Sequence, residues 1–250
     1  MDTNVALLLF GGFAAMMACN LPIAVSLVFS CVLVIWTIDL APLQILPQQL
    51  LSATDSWTLL AVPFFILAGN LLAKTAISER LVRRATVVVG QFPAGLGMVA
   101  IIVSIFFAGI SGSGPADTAA LGAILIPAMV KAGYNKNFTS ALMAAGGGIG
   151  IIIPPSIALL IYGVVANASI SKLFIAGILP GILVGLSLFV VVYLKCGKDP
   201  NIRPEKRGSL RDIAIALKDA VWGLLAPVII LGGIYGGIFT ATEAAVVAVI

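Results

Sequence analysis

The sequence predicts an all-α integral membrane protein: multiple transmembrane helices with a re-entrant helical hairpin and a broken helix. Three observations carry this reading. Of the 250 residues, 61% are hydrophobic and 10% charged, and the mean hydropathy is +1.17, which leaves too little polar side chain to cover a soluble globule. Apolar runs recur along the chain, several near the ~20 residues that a spanning helix needs. Two of the longest are interrupted by glycine, serine and proline, at GISGSGPADT (109–118) and GGGIGIIIPPS (146–156).

The elements follow in order. The first apolar run starts almost at Met1 with no basic leader region, so it reads as a retained helix rather than a signal peptide. Residues 4–38 are too long for one span, and Asn20, Leu21 and Pro22 supply a turn, because proline cannot continue a helix interior and restricts the residue before it. Two helices result, with the N-terminus outside. The loop 39–56 holds two aspartates and no basic residue. Cytoplasmic loops collect Lys and Arg, so this loop faces outward and closes an N-terminal region over 1–56. Residues 57–73 then cross inward, because 74–84 hold Lys74, Arg80, Arg83 and Arg84.

The turn 131–136 holds Lys131 and Lys136, and 195–218 holds seven basic residues, so both also face inward. Parity then requires 93–130 to return to its own side. Its arms, 95–110 and 116–130, reach only about 22–24 Å, short of a ~30 Å hydrocarbon core. Two short full spans satisfy the parity as well, but the arm length favours a re-entrant hairpin with its tip at SGSGP. Residues 138–166 read as a helix broken over 146–156, crossing outward, and 173–194 return inward. There Gly177, Gly181 and Gly185 lie four apart on one face, which permits close helix contact.

The stretch 57–194 thus forms a transport-type unit. Over 195–219 a polar linker precedes an amphipathic segment. Ser209 and Asp212 resemble a capping box, and Leu210, Ile213, Ala214, Leu217 and Val221 share a face, as in a helix lying along the membrane surface. Residues 220–239 cross again, and GIFTATEAAVVAVI begins a helix that the chain leaves unfinished, so 220–250 reads as the truncated start of a second repeat.

Composition also excludes function classes. No histidine occurs, which removes the usual general base, haem ligand and zinc ligand. Cys19, Cys31 and Cys196 are scattered without CxxC spacing, so neither a disulfide framework nor a metal knuckle is supported. No cofactor, no catalytic residue and no nucleic-acid partner are expected. A serine hydrolase within the membrane would explain a serine in a glycine-rich loop, yet GxSxG spacing is absent around Ser111 and Ser113.

What remains is ion chemistry. An irregular segment survives in a bilayer only where it is buried in protein or lines a water-filled cavity. The two breaks together offer backbone carbonyls and the hydroxyls of Ser111, Ser113 and Ser156, hard oxygen donors suited to a small dehydrated cation such as sodium. The helix start at Ala116 and Asp117 turns a positive dipole end toward any anionic group, and Asp117 itself reads first as a helix cap, with direct ion ligation as the alternative. Asn70 reads as an interhelical hydrogen-bonding residue and Glu243 as a helix-start acid. The bland alternative makes SGSGP a turn and PPS a kink, and a channel built from re-entrant loops would use the same carbonyls.

The blocks PFFILAGNLL, FFAGISGSGPADTAALGAILIPAMVKAGY, GGGIGIIIPPSIALLIYG, LFIAGILPG and GGIYGGIFTATEAAVVAV, in this order over essentially the whole chain, resemble the N-terminal half of the large membrane subunit (DctM type) of tripartite ATP-independent periplasmic (TRAP) transporters. The resemblance implies one half of an inverted-repeat elevator transporter, driven by sodium, that imports carboxylates such as C4-dicarboxylates or sialic acid across the bacterial inner (cytoplasmic) membrane. It implies a small four-helix membrane subunit and a periplasmic substrate-binding protein as partners. It also implies sodium held at the hairpin tip and the broken helix, which map onto Ser111, Gly112, Ser113 and Gly114 and onto Ile153 and Pro154. Pro115, Asp117, Pro155 and Ser156 are then candidates for the substrate cavity. Family members carry a second, inverted half with its own hairpin, so transport by this chain alone is not expected.

Overall fold

In a computed structural model, residues 3–39, 41–74, 77–202 and 227–249 are described, with Ser209 and Leu225 between them. All regular elements among the described residues are helical. Backbone contacts divide the chain into Met1–Ser56 and Trp57–Ile250.

In the first unit, α1 (Thr3–Ala18) and α2 (Ile23–Ile38) pack as a pair. Asn20 takes a left-handed conformation (φ 65°) in the turn between them, a geometry that asparagine tolerates better than most residues. The buried hydroxyls of Ser26 and Ser30 donate to Pro22 O at 3.1 Å and Ser26 O at 2.6 Å, so neither is left bare in an apolar helix. Leu7, Phe10 and Trp36 are exposed, as side chains that face lipid tails would be. The acidic segment read as a loop contains a helix, α3 (Ile45–Thr54), with no buried residue. Its Gln, Leu and Ala favour helix, and Pro47 falls in the first turn, where its missing N–H has no helical partner to lose.

The second unit begins with a 3₁₀ turn, Trp57–Leu60, leading into α4 (Ala61–Lys74) and then α5 (Ile77–Val89). The hairpin follows as α6 (Gly95–Ser111) and α7 (Gly114–Lys131). Its arms of 17 and 18 residues reach about 26–27 Å and still fall short of a ~30 Å core. The base is tied where Tyr134 Oη accepts from Gly97 N–H at 3.2 Å, which sets the end of α7 beside the start of α6. Burial pushes the Tyr134 phenol up to about 12, so it stays protonated. Phe107, Leu121, Leu125, Met129 and Met143 fill the core between these arms and α8 (Lys136–Ile152).

The broken helix consists of α8 and α9 (Ile157–Val165), bent by 41°. Its break is narrower than the sequence implied. Gly146, Gly147, Gly148 and Gly150 stay within α8, and only 153–156 leave the helix. Missing side chains let α8 cross the hairpin closely, and this contact outweighs the poor helix propensity of glycine. The last three elements are α10 (Ile170–Cys196), α11 (described over 227–235) and α12 (Ala241–Val247). Among the described residues, α10 is the one unbroken helix long and apolar enough to cross a membrane. A second core joins Ala61 and Phe65 to Leu160, Phe174, Ile230, Ile234, Ala244 and Ala245.

The interfacial helix expected over 210–221 lies outside the described residues. A capping box occurs instead at α12, where Glu243 N–H donates to Thr240 Oγ1 at 3.3 Å and Thr240 N–H to the Glu243 carboxylate at 2.8 Å. Glu243 is thus the helix-start acid the sequence suggested. Asn70, read as an interhelical hydrogen-bonding residue, is exposed. Gly69, one step round the helix, is the residue that faces the hairpin.

Candidate functional site

The two helix breaks meet. α6 ends because Gly112 turns left-handed (φ 62°), a conformation that glycine takes without steric penalty. Its carbonyl accepts from Ile157 N–H at 3.1 Å, which fastens the hairpin tip to the start of α9. The approach leaves no room for a side chain, since a Cβ on Gly112 would lie 2.5 Å from Pro155 O. Ser113 is the extended N-cap residue of α7, half-buried, and its side chain makes no cap hydrogen bond. Gly114 opens the helix buried, and Pro115 follows exposed, at a position where a missing N–H costs nothing.

Across the break, Pro154 and Pro155 are buried and joined by a cis peptide bond. Ser156, fully buried, satisfies both broken ends at once. Its hydroxyl donates to Ile151 O at 2.6 Å, near the end of α8, and accepts from Leu159 N–H at 3.2 Å as the cap of α9. Much of its bonding capacity therefore serves the fold. Ile153 turns toward α10, where Gly181 accommodates it, while Gly177 lies against Ile152 O. The glycine-spaced face of α10 thus supports the broken helix from behind.

Asp117 does not cap α7. It is the fourth residue of that helix, with its N–H bonded to Ser113 O at 3.0 Å, and its carboxylate accepts from no backbone N–H of the first turn. One carboxylate oxygen accepts from the Ser111 hydroxyl, which in turn accepts from Ser113 N–H at 3.2 Å. The other, Oδ2, is buried and has no hydrogen-bond partner among the described residues. It faces α8 at Gly150, where an added Cβ would come within 2.5 Å of it. A buried carboxylate oxygen without a partner is costly unless a cation or proton compensates it.

The glycine run is therefore part of the site. A Cβ on Gly146 would meet Ser104 Oγ at 2.7 Å, one on Gly147 would overlap the Thr118 hydroxyl, and one on Gly69 of α4 would meet Ser111 Cβ at 2.8 Å. The four-residue spacing of Gly146 and Gly150 was the signal in the sequence, masked by its reading as a helix breaker. No cluster of three His, Cys, Asp or Glu occurs among the described residues. The available donors are hard oxygens: the Asp117 carboxylate, the hydroxyls of Ser111 and Ser113, and carbonyls of the two breaks.

Residues 10–250 match the protein family described as tripartite ATP-independent periplasmic transporter, DctM component. The isethionate TRAP transporter permease protein DctMQ of Oleidesulfovibrio alaskensis is 43% identical over 240 residues, 96% of this chain and 38% of that protein. The C4-dicarboxylate TRAP transporter large permease protein DctM of Vibrio cholerae is 42% identical over 245 residues, covering 97% and 54%. The sialic acid TRAP transporter large permease protein SiaM of Vibrio cholerae is 41% identical over 236 residues, covering 94% and 55%. The chain spans roughly half the length of most of the curated relatives it matches.

Proposed function

This chain belongs to the DctM component family of tripartite ATP-independent periplasmic transporters, and on that premise we propose that it supplies a sodium-binding unit to a secondary transporter that imports carboxylate solutes. It is a multi-pass protein of the inner membrane and not an enzyme. The observation that supports the ion reading most is the buried, unpartnered Asp117 Oδ2 beside the junction of the two breaks. Gly112, Gly114, Ile153 and Pro154 contribute backbone there, and Ser111 and Ser113 contribute hydroxyls. The positive end of α7 and the adjoining Pro155 and Ser156 border the space in which an anionic carboxylate would lie. Substrate arrives on a periplasmic binding protein, and a small membrane subunit packs on outward helix faces rather than on the hairpin. Relatives named for C4-dicarboxylate, sialic acid and isethionate bracket the substrate class as small organic anions. A channel would conduct sodium without substrate, whereas a carrier moves both in fixed ratio.

The test is uptake of delivered substrate at graded sodium concentrations by the complete permease with its partners. Ser113→Ala removes one hydroxyl ligand and is expected to weaken apparent sodium affinity by about one to two decades, from the ~1–3 kcal/mol attached to an unmade buried polar contact. Asp117→Asn keeps the shape, removes the charge and is expected to cost more. Sodium dependence unchanged in both variants would reduce the hairpin tip to a structural turn.

A further inference from the structure

α5 carries the sequence ISERLVRRATVVV, and it is two-faced. Leu81, Val82, Ala85 and Val89 pack against the core of the second unit, while Arg80 and Arg83 are exposed. Beyond its end Phe92 stands 51% exposed. This arrangement suits a helix lying in the membrane interface, with apolar residues inward and cations at headgroup level.

Other chain segments bring cations to the same end. Tyr134, which shares a core cluster with Leu96, Cys196 and Ile202, bonds Gly97 N–H near the start of α6, and the end of α5 is held at that same start, where a Cβ on Gly95 would overlap Gly90 O. A Cβ on Gly133 would overlap the Asn201 carbonyl, so the turn after α7 and the turn after α10 lie against each other. Lys131, Lys136, Lys195 and Lys198 are within a few residues of that cluster and are all exposed. Asp199, the one carboxylate described there, is engaged locally, accepting from Asn201 N–H at 2.9 Å and Nδ2 at 3.1 Å. Lys172, near the other end of α10, lies about 34 Å along the helix from Lys195.

We propose that this end of the second unit binds the phosphate headgroups of anionic phospholipids, with Arg80 and Arg83 of α5 and the lysines flanking the two neighbouring turns as the headgroup ligands. Guanidinium and ammonium groups at headgroup depth form charge-assisted bonds to phosphate and are drawn to an anionic leaflet. The proposal needs only that the chain sits in a bilayer. It does not depend on sodium coupling or substrate, so either reading can fail without the other.

The test uses the full chain purified in detergent, with its thermal midpoint titrated by phosphatidylglycerol, phosphatidylcholine and inorganic phosphate in parallel. Phosphatidylglycerol is expected to raise the midpoint at concentrations where the other two do not. Arg80→Gln with Arg83→Gln is expected to weaken the apparent phosphatidylglycerol affinity by about twenty-fivefold, about fivefold per cation removed. Lys172→Gln should leave it unchanged. Lys131→Gln with Lys136→Gln, exposed at the end of α7 and the start of α8, gives the same reading if the α5 variant fails to fold. Equal stabilisation by phosphatidylcholine or by inorganic phosphate, or an equal loss in Lys172→Gln, would overturn the proposal.

Discussion

Replacing Gly112 by alanine tests the junction of the two breaks. The perturbation is a single methyl group, and two separate costs follow from its position. A residue with a Cβ held at φ 62° pays about 1–2 kcal/mol relative to glycine. The new Cβ would also lie 2.5 Å from Pro155 O and 3.2 Å from Ile157 N, so the tip must withdraw and the Ile157 N–H to Gly112 O bond is lost, at about 0.5–1.5 kcal/mol. Together these give about 1.5–3.5 kcal/mol. For a chain of this size that corresponds to a fall of roughly 3–14 °C in thermal midpoint. Gly148→Ala is the matched control, because nothing lies within 4 Å of the added carbon and the residue is helical. Alanine there is expected to gain about 0.5–1 kcal/mol of helix propensity. Both variants are measured by thermal unfolding of the purified chain in one detergent. A Gly112→Ala midpoint unchanged, or lowered no more than that of Gly148→Ala, would refute the junction.

Ser156→Ala removes the hydroxyl that accepts from Leu159 N–H and donates to Ile151 O. A loss of about 1–2 kcal/mol in the same thermal assay is expected, and Ser156→Thr, which keeps the hydroxyl, should restore most of it. For topology, Asn137→Cys in a background lacking Cys19, Cys31 and Cys196 is expected to be shielded from an impermeant external thiol reagent in intact cells. Labelling at that position from outside would exclude a hairpin that returns to its own side.

Much of the architecture was legible in the sequence because membrane chains obey few, strong local rules. An apolar run must be helical wherever lipid offers no hydrogen-bond partner, and Asn20 to Pro22, SGSGP and PPS marked the places where helices stop. The arms of the hairpin differ from their expected bounds by a residue or two, which is the ordinary fraying of helix ends. Local rules misjudged the glycines at 146–150. Propensity alone marks them as breakers, yet α8 runs through them, since close approach to Ser104, Thr118 and Asp117 repays the entropy that glycine loses in a helix. They misjudged Asp117 in the same way. An acid in the first turns of a helix looks like a cap, and nothing in its neighbours tells which way it points.

The sequence by itself determined the class of protein, the positions of the breaks and the family, because these depend on composition, on proline and glycine, and on long blocks in fixed order. Only the tertiary structure decided that the breaks at 112 and 157 are bonded to each other, that Ser156 is occupied in holding its own helix ends, and that Asp117 keeps one bare oxygen over Gly150. The first and third of these join residues far apart in the chain. Their geometry is set by how closely helices can approach where side chains are missing, a quantity that no local pattern of residues encodes.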